Sequence, residues 1–119
     1  MKAYFSRAEV ARIVGIKPET LKLWEKTLGF HPRRVGNRRI YARKDLRRVL
    51  LIKTLMEQEH LSLEEVKAFL RDERAARRKE LEALQMWKNR LDQELTEILQ
   101  EIRHLLAEIE RLMDREGTP

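Results

Sequence analysis

Arg33-Arg34-Val35-Gly36-Asn37-Arg38-Arg39-Ile40-Tyr41 sets four arginines around a Gly-Asn turn signal. This is the pattern of a short two-stranded ribbon with a guanidinium-loaded rim. With a two-residue turn, Val35 pairs with Arg38 and Arg34 with Arg39, so like charges stand opposite each other and the ribbon lacks stability until an anion arrives. A polyanion is the natural partner. The preceding segment, Phe5 to Phe30, reads as two short helices joined by a glycine-containing turn. Helix, turn, helix and ribbon in that order predict a winged helix-turn-helix that reads double-stranded DNA.

The charge distribution agrees. Residues 1–60 hold 15 Lys and Arg against 6 Asp and Glu, a net of +9, whereas residues 61–119 hold 11 against 14, a net of −3. The basic half is the candidate nucleic-acid footprint, and the mixed-charge half has another task. A chain of 119 residues has room for one small domain and an extension, but not for a second catalytic or ligand-binding domain of ordinary size. The absence of cysteine excludes disulfides, thiolate metal sites and thiol redox sensing. No apolar run approaches membrane-spanning length, and Met1-Lys2-Ala3-Tyr4-Phe5 lacks the apolar core of a signal peptide. A soluble, cytoplasmic, nucleoid-associated protein with no membrane partner is expected. No nucleophile has a partnered base, no glycine-rich phosphate loop is present, and His31, His60 and His104 are scattered, so no catalytic residue, metal or cofactor is expected.

Two helix starts are written almost identically, Phe5-Ser6-Arg7-Ala8-Glu9-Val10 and Leu61-Ser62-Leu63-Glu64-Glu65-Val66. In each, serine caps the helix and the glutamate three residues later closes a capping box. The first helix should run from Arg7 to about Val14, burying Val10, Ile13 and Val14, with Gly15 supplying the turn. The second begins at Pro18 and ends at Gly29, with Leu21, Trp24 and Leu28 inward and Glu19, Lys22, Leu23 and Lys26 outward. A third, from about Arg43 to Gln58, should bury Leu46, Val49, Leu50 and Ile52, and a fourth runs from Leu63 to about Leu70.

Beyond Asp72 no Gly or Pro occurs until Gly117, which predicts one long helix. Its apolar residues fall in a heptad, with Leu81, Lys88, Leu95, Ile102 and Ile109 at a and Leu84, Leu91, Ile98, Leu105 and Leu112 at d. The expected architecture is therefore mainly α: a winged helix-turn-helix domain over 1–72 and a coiled-coil dimerisation helix over 73–119. The homodimer contacts are assigned to Leu84, Leu91, Leu95, Ile98, Ile102, Leu105, Ile109 and Leu112. Leu99, Leu106 and Met113 widen the stripe at e in the C-terminal half, which implies contact with more than one neighbour there, the partner's DNA-binding domain being one candidate. Glu94, Glu101 and Glu108 at g face mostly apolar residues in a parallel pair and one another in an antiparallel pair, so both directions stay open.

The order Ser6-x-x-Glu9-Val10-Ala11, Pro18-Glu19-Thr20-Leu21-Lys22-Leu23-Trp24-Glu25, Gly36-Asn37-Arg38-Arg39-Ile40-Tyr41 with Asp45-Leu46, and Leu61-Ser62-Leu63-Glu64-Glu65-Val66 resembles the MerR family of bacterial transcription regulators over roughly residues 4–70. The long helix is similar to that family's dimerisation coil. Where the family usually carries Arg-Tyr-Tyr, this chain has Lys22-Leu23-Trp24, and Lys17 replaces the usual Ser or Asn cap. The resemblance implies a homodimer joined by an antiparallel coil, lying on a palindromic promoter site and bending and untwisting it so that RNA polymerase can engage. Family members usually append an effector domain after the coil, and the chain stops at Pro119.

The candidate DNA-binding residues follow. By analogy with the family, Lys17, Thr20, Lys22 and Lys26 belong to the major-groove helix, and Leu23 either touches a thymine methyl or packs against the wing. Arg33, Arg34, Arg38 and Arg39 should meet phosphates or the minor groove, with Tyr41 adding a hydroxyl contact and Asn37 serving the turn. Two alternatives accompany this expectation: an architectural, DNA-bridging nucleoid protein, and a regulator whose signal is a partner protein bound at the coil.

Overall fold

The computed structural model describes residues 4–117. Met1–Ala3, part of the stretch expected to lack a signal peptide, and Thr118–Pro119 lie outside the described residues. Eight elements follow one another: β1 (Tyr4–Phe5), α1 (Arg7–Val14), α2 (Pro18–Leu28), β2 (Arg33–Val35), β3 (Arg38–Ala42), α3 (Arg43–Glu57), α4 (Leu63–Phe69) and α5 (Glu73–Gly117).

The twin helix starts form as their sequences require. The Glu9 N–H donates to Ser6 Oγ at 3.2 Å and the Ser6 N–H to Glu9 Oε1 at 3.0 Å, and Ser62 and Glu65 repeat the arrangement at the same distances. Two orphan donors are thereby satisfied at each helix start. Gly15 ends α1 at φ 84°, a left-handed conformation that costs glycine little, and Lys53 Nζ donates to the Val14 carbonyl at 2.7 Å. The turn between α1 and α2 is thus tied to α3.

The ribbon has the expected register, with Val35 opposite Arg38, Arg34 opposite Arg39 and Arg33 opposite Ile40. Of the two turn residues, only Gly36 has a positive φ, 61°. A strand that the sequence pattern does not announce completes the sheet: β1 pairs antiparallel with β3, Tyr4 against Ala42 and Phe5 against Tyr41, in the order β1-β3-β2. Two residues are too few to show a period of two. The chain then turns directly into α3, where Asp45 Oδ2 accepts the Ala42 N–H at 2.8 Å.

Three core assignments change, the first being Leu28 of α2, which is only half-buried while Glu25 is buried beside Leu21 and Trp24. In α1 the buried residues are Val10, Ala11 and Val14, while Ile13 is 37% exposed. The inward stripe is rotated toward the small residue, which lets α1 approach its neighbours closely. In α3, Leu51 and Leu55 are fully buried beside Val49, Leu50 and Ile52, while Leu46 is only half-buried. This helix is packed on more than one side, so its buried arc is broader than a single amphipathic stripe.

The first compact unit extends through Leu84 and so takes in the opening turns of α5. Ala76 and Ala83 are buried there. Glu80 lies 3.4 Å from Arg47 Nε and 3.5 Å from Arg48 Nε, and Lys79 bonds Glu59. Partly exposed pairs of this kind contribute about 0–1 kcal/mol each, so they orient the helix more than they hold it. Among the described residues the second unit, from Gln85 onward, is helix alone.

Between α3 and α4, His60 adopts φ 56° although it is not glycine. Its side chain is exposed. His60→Gly is expected to raise unfolding free energy by roughly 0.5–1 kcal/mol, because the Cβ strain of a left-handed residue is about 1–2 kcal/mol and part of the gain is offset by glycine's chain entropy. Urea denaturation of the two proteins checks this.

Candidate nucleic-acid interface

The outer face of α2 and the arginine ribbon are joined through one buried carboxylate. Glu25 is 6% exposed. Its Oε1 accepts the Tyr41 hydroxyl at 2.7 Å, and its Oε2 accepts Arg7 Nη2 at 3.0 Å. Arg7 Nε also donates to the Tyr41 hydroxyl, at 3.3 Å. Three elements, α1, α2 and β3, therefore meet at a closed set of charge-assisted hydrogen bonds, which are shorter and stronger than neutral ones. Phe30 packs on the Tyr41 ring with centroids 6.4 Å apart. Glu25 is absent from the residues expected of the site, although its phase is visible in the sequence: it lies one helical turn beyond Leu21 on the inward stripe, where a charge needs a partner.

Tyr41 corrects an expectation. It is fully buried and its hydroxyl is directed to Glu25, so it holds the ribbon to the domain and is not offered to a phosphate. The physical reason is strand alternation: in β3 the side chains of Arg39 and Tyr41 share one face, and the inner end of that face lies over the core. The same alternation divides the arginines between both faces of the ribbon, Arg34 with Arg39 on one and Arg33 with Arg38 on the other. Arg33, Arg34, Arg38 and Asn37 are exposed. Arg39 is half-buried and its Nη1 donates to the Pro32 carbonyl at 3.2 Å. Directing this guanidinium to a carbonyl relieves the like-charge pairing with Arg34.

On α2, Lys22, Lys26 and Leu23 are exposed, Leu23 at 54%. Lys17 is exposed at the N-cap and its side chain makes no capping bond, while Thr20 is half-buried. Trp24, at 5%, belongs to the core. Two further exposed cations, Arg43 and Lys44, open α3 immediately after the ribbon. Positive charge is disfavoured at a helix N-terminus, and that mismatch is the sequence signal that marks them. The Asp45 carboxylate offsets it locally.

Along α5, Leu84 is half-buried, whereas Leu91, Leu95, Ile98, Ile102, Leu105, Ile109 and Leu112 are between 44% and 56% exposed. No helix among the described residues is long and apolar enough to cross a membrane.

Residues 5–73 match the model of the MerR HTH family regulatory protein. The HTH-type transcriptional repressor CarA of Myxococcus xanthus is 34% identical over 79 residues, covering 63% of this chain and 27% of that protein. The chain thus matches about a quarter of the length of that relative.

Burial and the hydrogen bond to Glu25 push the Tyr41 hydroxyl up to about 12. A raised value means that the protonated hydroxyl supports the fold. That support is complete below the ordinary tyrosine value of about 10 and disappears as pH rises through the shifted one. Absorbance titration should show Tyr41 ionising only near pH 12, together with loss of near-ultraviolet dichroism. Tyr41→Phe should remove that phase and lower stability by about 1–3 kcal/mol, the cost of leaving a buried carboxylate oxygen without its donor.

Proposed function

The chain belongs to the MerR HTH family of regulatory proteins, a family of DNA-binding transcription regulators, and from that premise we propose that it acts as a homodimer on a palindromic promoter site. The observation that carries this is the joining, through Glu25, of an outward lysine-leucine face on α2 to an exposed arginine ribbon. In the proposed complex α2 enters the major groove. Lys22 reaches guanine acceptors, Leu23 contacts a thymine methyl, and Lys17, Thr20 and Lys26 support the helix on the flanking backbone. Arg33, Arg34 and Arg38 contact phosphates on both sides of the ribbon. Bending and untwisting of the promoter then exchanges deformation energy for these contacts.

Dimerisation is supported by the a/d seam of α5, whose leucines and isoleucines from Leu91 to Leu112 stand 44% to 56% exposed. Lys88 favours an antiparallel direction. A parallel coil would set the two Lys88 side chains in one core layer, while an antiparallel coil sets each against Leu105 of the second copy. The register that matches the ends of the stripe pairs Leu81 with Leu112, Leu84 with Ile109, Leu91 with Ile102 and Leu95 with Ile98. Its cost is Glu94 facing Glu101 of the second copy, an exposed like-charge contact of roughly a few tenths of a kcal/mol. Two lysines in one apolar layer cost more.

Three outcomes test the proposal. Ile98→Asp buries an unpaired charge at the centre of the seam and should yield a monomer by sedimentation, with the first unit still folded. Arg34→Ala with Arg38→Ala should weaken binding to all duplexes alike, and the slope of log affinity against log salt should fall by about 0.9 for each phosphate no longer neutralised. Lys22→Ala should relax one symmetric position of the selected site, since a good base contact contributes about 1–3 kcal/mol of discrimination. A wild-type monomer at micromolar concentration, or unchanged salt slope and site preference in these variants, contradicts it.

A further inference from the structure

We infer that the outer face of the sheet packs on deoxyriboses of the bound duplex, with Tyr4, Val35 and Ile40 as its apolar contacts between the phosphates that Arg33 and Arg38 meet. This rests on the DNA-binding reading proposed above and adds a surface to it.

Residues directly opposite each other in an antiparallel pair point to the same side of the sheet. The registers Tyr4 with Ala42, Arg33 with Ile40 and Val35 with Arg38 therefore gather these six side chains on one face. Phe5, Tyr41, Arg34 and Arg39 take the other, which Tyr41 closes against the core. On the outer face Tyr4 and Val35 are each 51% exposed, Arg33 and Arg38 are exposed, and Ile40 and Ala42 are half-buried. The solvated side of an antiparallel sheet is ordinarily polar, so apolar residues there call for a partner.

The face continues into a groove. Strand β1 pairs only with Tyr41 and Ala42, so residues 38–40 of β3 have no strand on that side. Tyr4, Val35, Arg38 and Ile40 line the groove beside this edge, together with the first turn of α1. Its described lining contains three arginines, Arg7, Arg38 and Arg39, and no carboxylate. Apolar surface interleaved with guanidinium, without acid, complements a DNA backbone, in which phosphates alternate with sugars that lack the 2′-hydroxyl. Continuity favours this partner over an acidic protein, because Arg33 and Arg38 of the same face are already assigned to phosphates.

Hydroxyl-radical footprinting of the full chain on a duplex that it selects provides the test, since that reagent reads the exposure of deoxyribose hydrogens. Wild type should protect a run of sugars on the flank of each half-site. Tyr4→Ser with Val35→Ser should lose the flank protection and keep that over the half-sites. Its affinity should fall roughly tenfold for all duplexes, with the salt slope unchanged because apolar burial and not a phosphate contact is lost. Tyr4→Phe keeps the ring and should behave as wild type. Flank protection that survives in the double serine variant overturns the inference, as does a reduced salt slope in that variant or a loss of flank protection in Tyr4→Phe. Wild-type protection confined to the half-sites overturns this face alone, whereas a wild-type protein that binds no duplex overturns the reading beneath it as well.

Discussion

A carboxylate removed from water has to be met by donors, and Glu25 is met by two that come from different parts of the chain. Arg7 opens the first helix and Tyr41 lies in the last strand, so the bonds fix the second helix against both. Arg7 remains 30% exposed at its side chain while that of Glu25 is only 8% exposed. The pair therefore keeps part of the arginine hydrated, which limits the desolvation cost that makes fully buried ion pairs weak contributors to stability. What it provides is a fixed relation between elements whose outer surfaces carry Lys22, Leu23 and the arginines.

That relation has a consequence for recognition. A helix that reads bases and a ribbon that meets phosphates act together only if the spacing between them is set before DNA arrives, since ordering them on binding would cost affinity. The short connection from Gly29 to Pro32 alone would leave the ribbon free to swing. Tyr41, held by Glu25 and packed on Phe30, removes that freedom from the base of the ribbon. The rim keeps its like charges together: Arg34 and Arg39 face each other, and Arg39 turns to a carbonyl within the domain.

Much of this was legible in the residues, for physical reasons that differ from element to element. Ser6 with Glu9 and Ser62 with Glu65 announce helix starts because capping chemistry is local. Gly36-Asn37 announces the hairpin and its register because few residues adopt a positive φ. The inward phase of Glu25 is written in its helix, but that Glu25 and Tyr41 bond each other was not legible, because each depends on a partner distant in sequence. Strand β1 was hidden by its length, and the displacement of Ile13 by Ala11 depends on how closely helices approach. Of the candidate interface, the outer residues of α2 and the exposed arginines stand where helical and strand periodicity put them, and Tyr41 is turned inward.

In the proposed assembly the long helix supplies, through its seam, the symmetry that a palindromic site requires. One rigid reading surface is then presented twice by a two-fold dimer. Selection of bound duplexes from a randomised pool by the full-length protein tests this most directly. The expected result is a single enriched motif with two-fold symmetry, its half-sites inverted relative to each other. Recovery of no motif, or of one without symmetry, would contradict it.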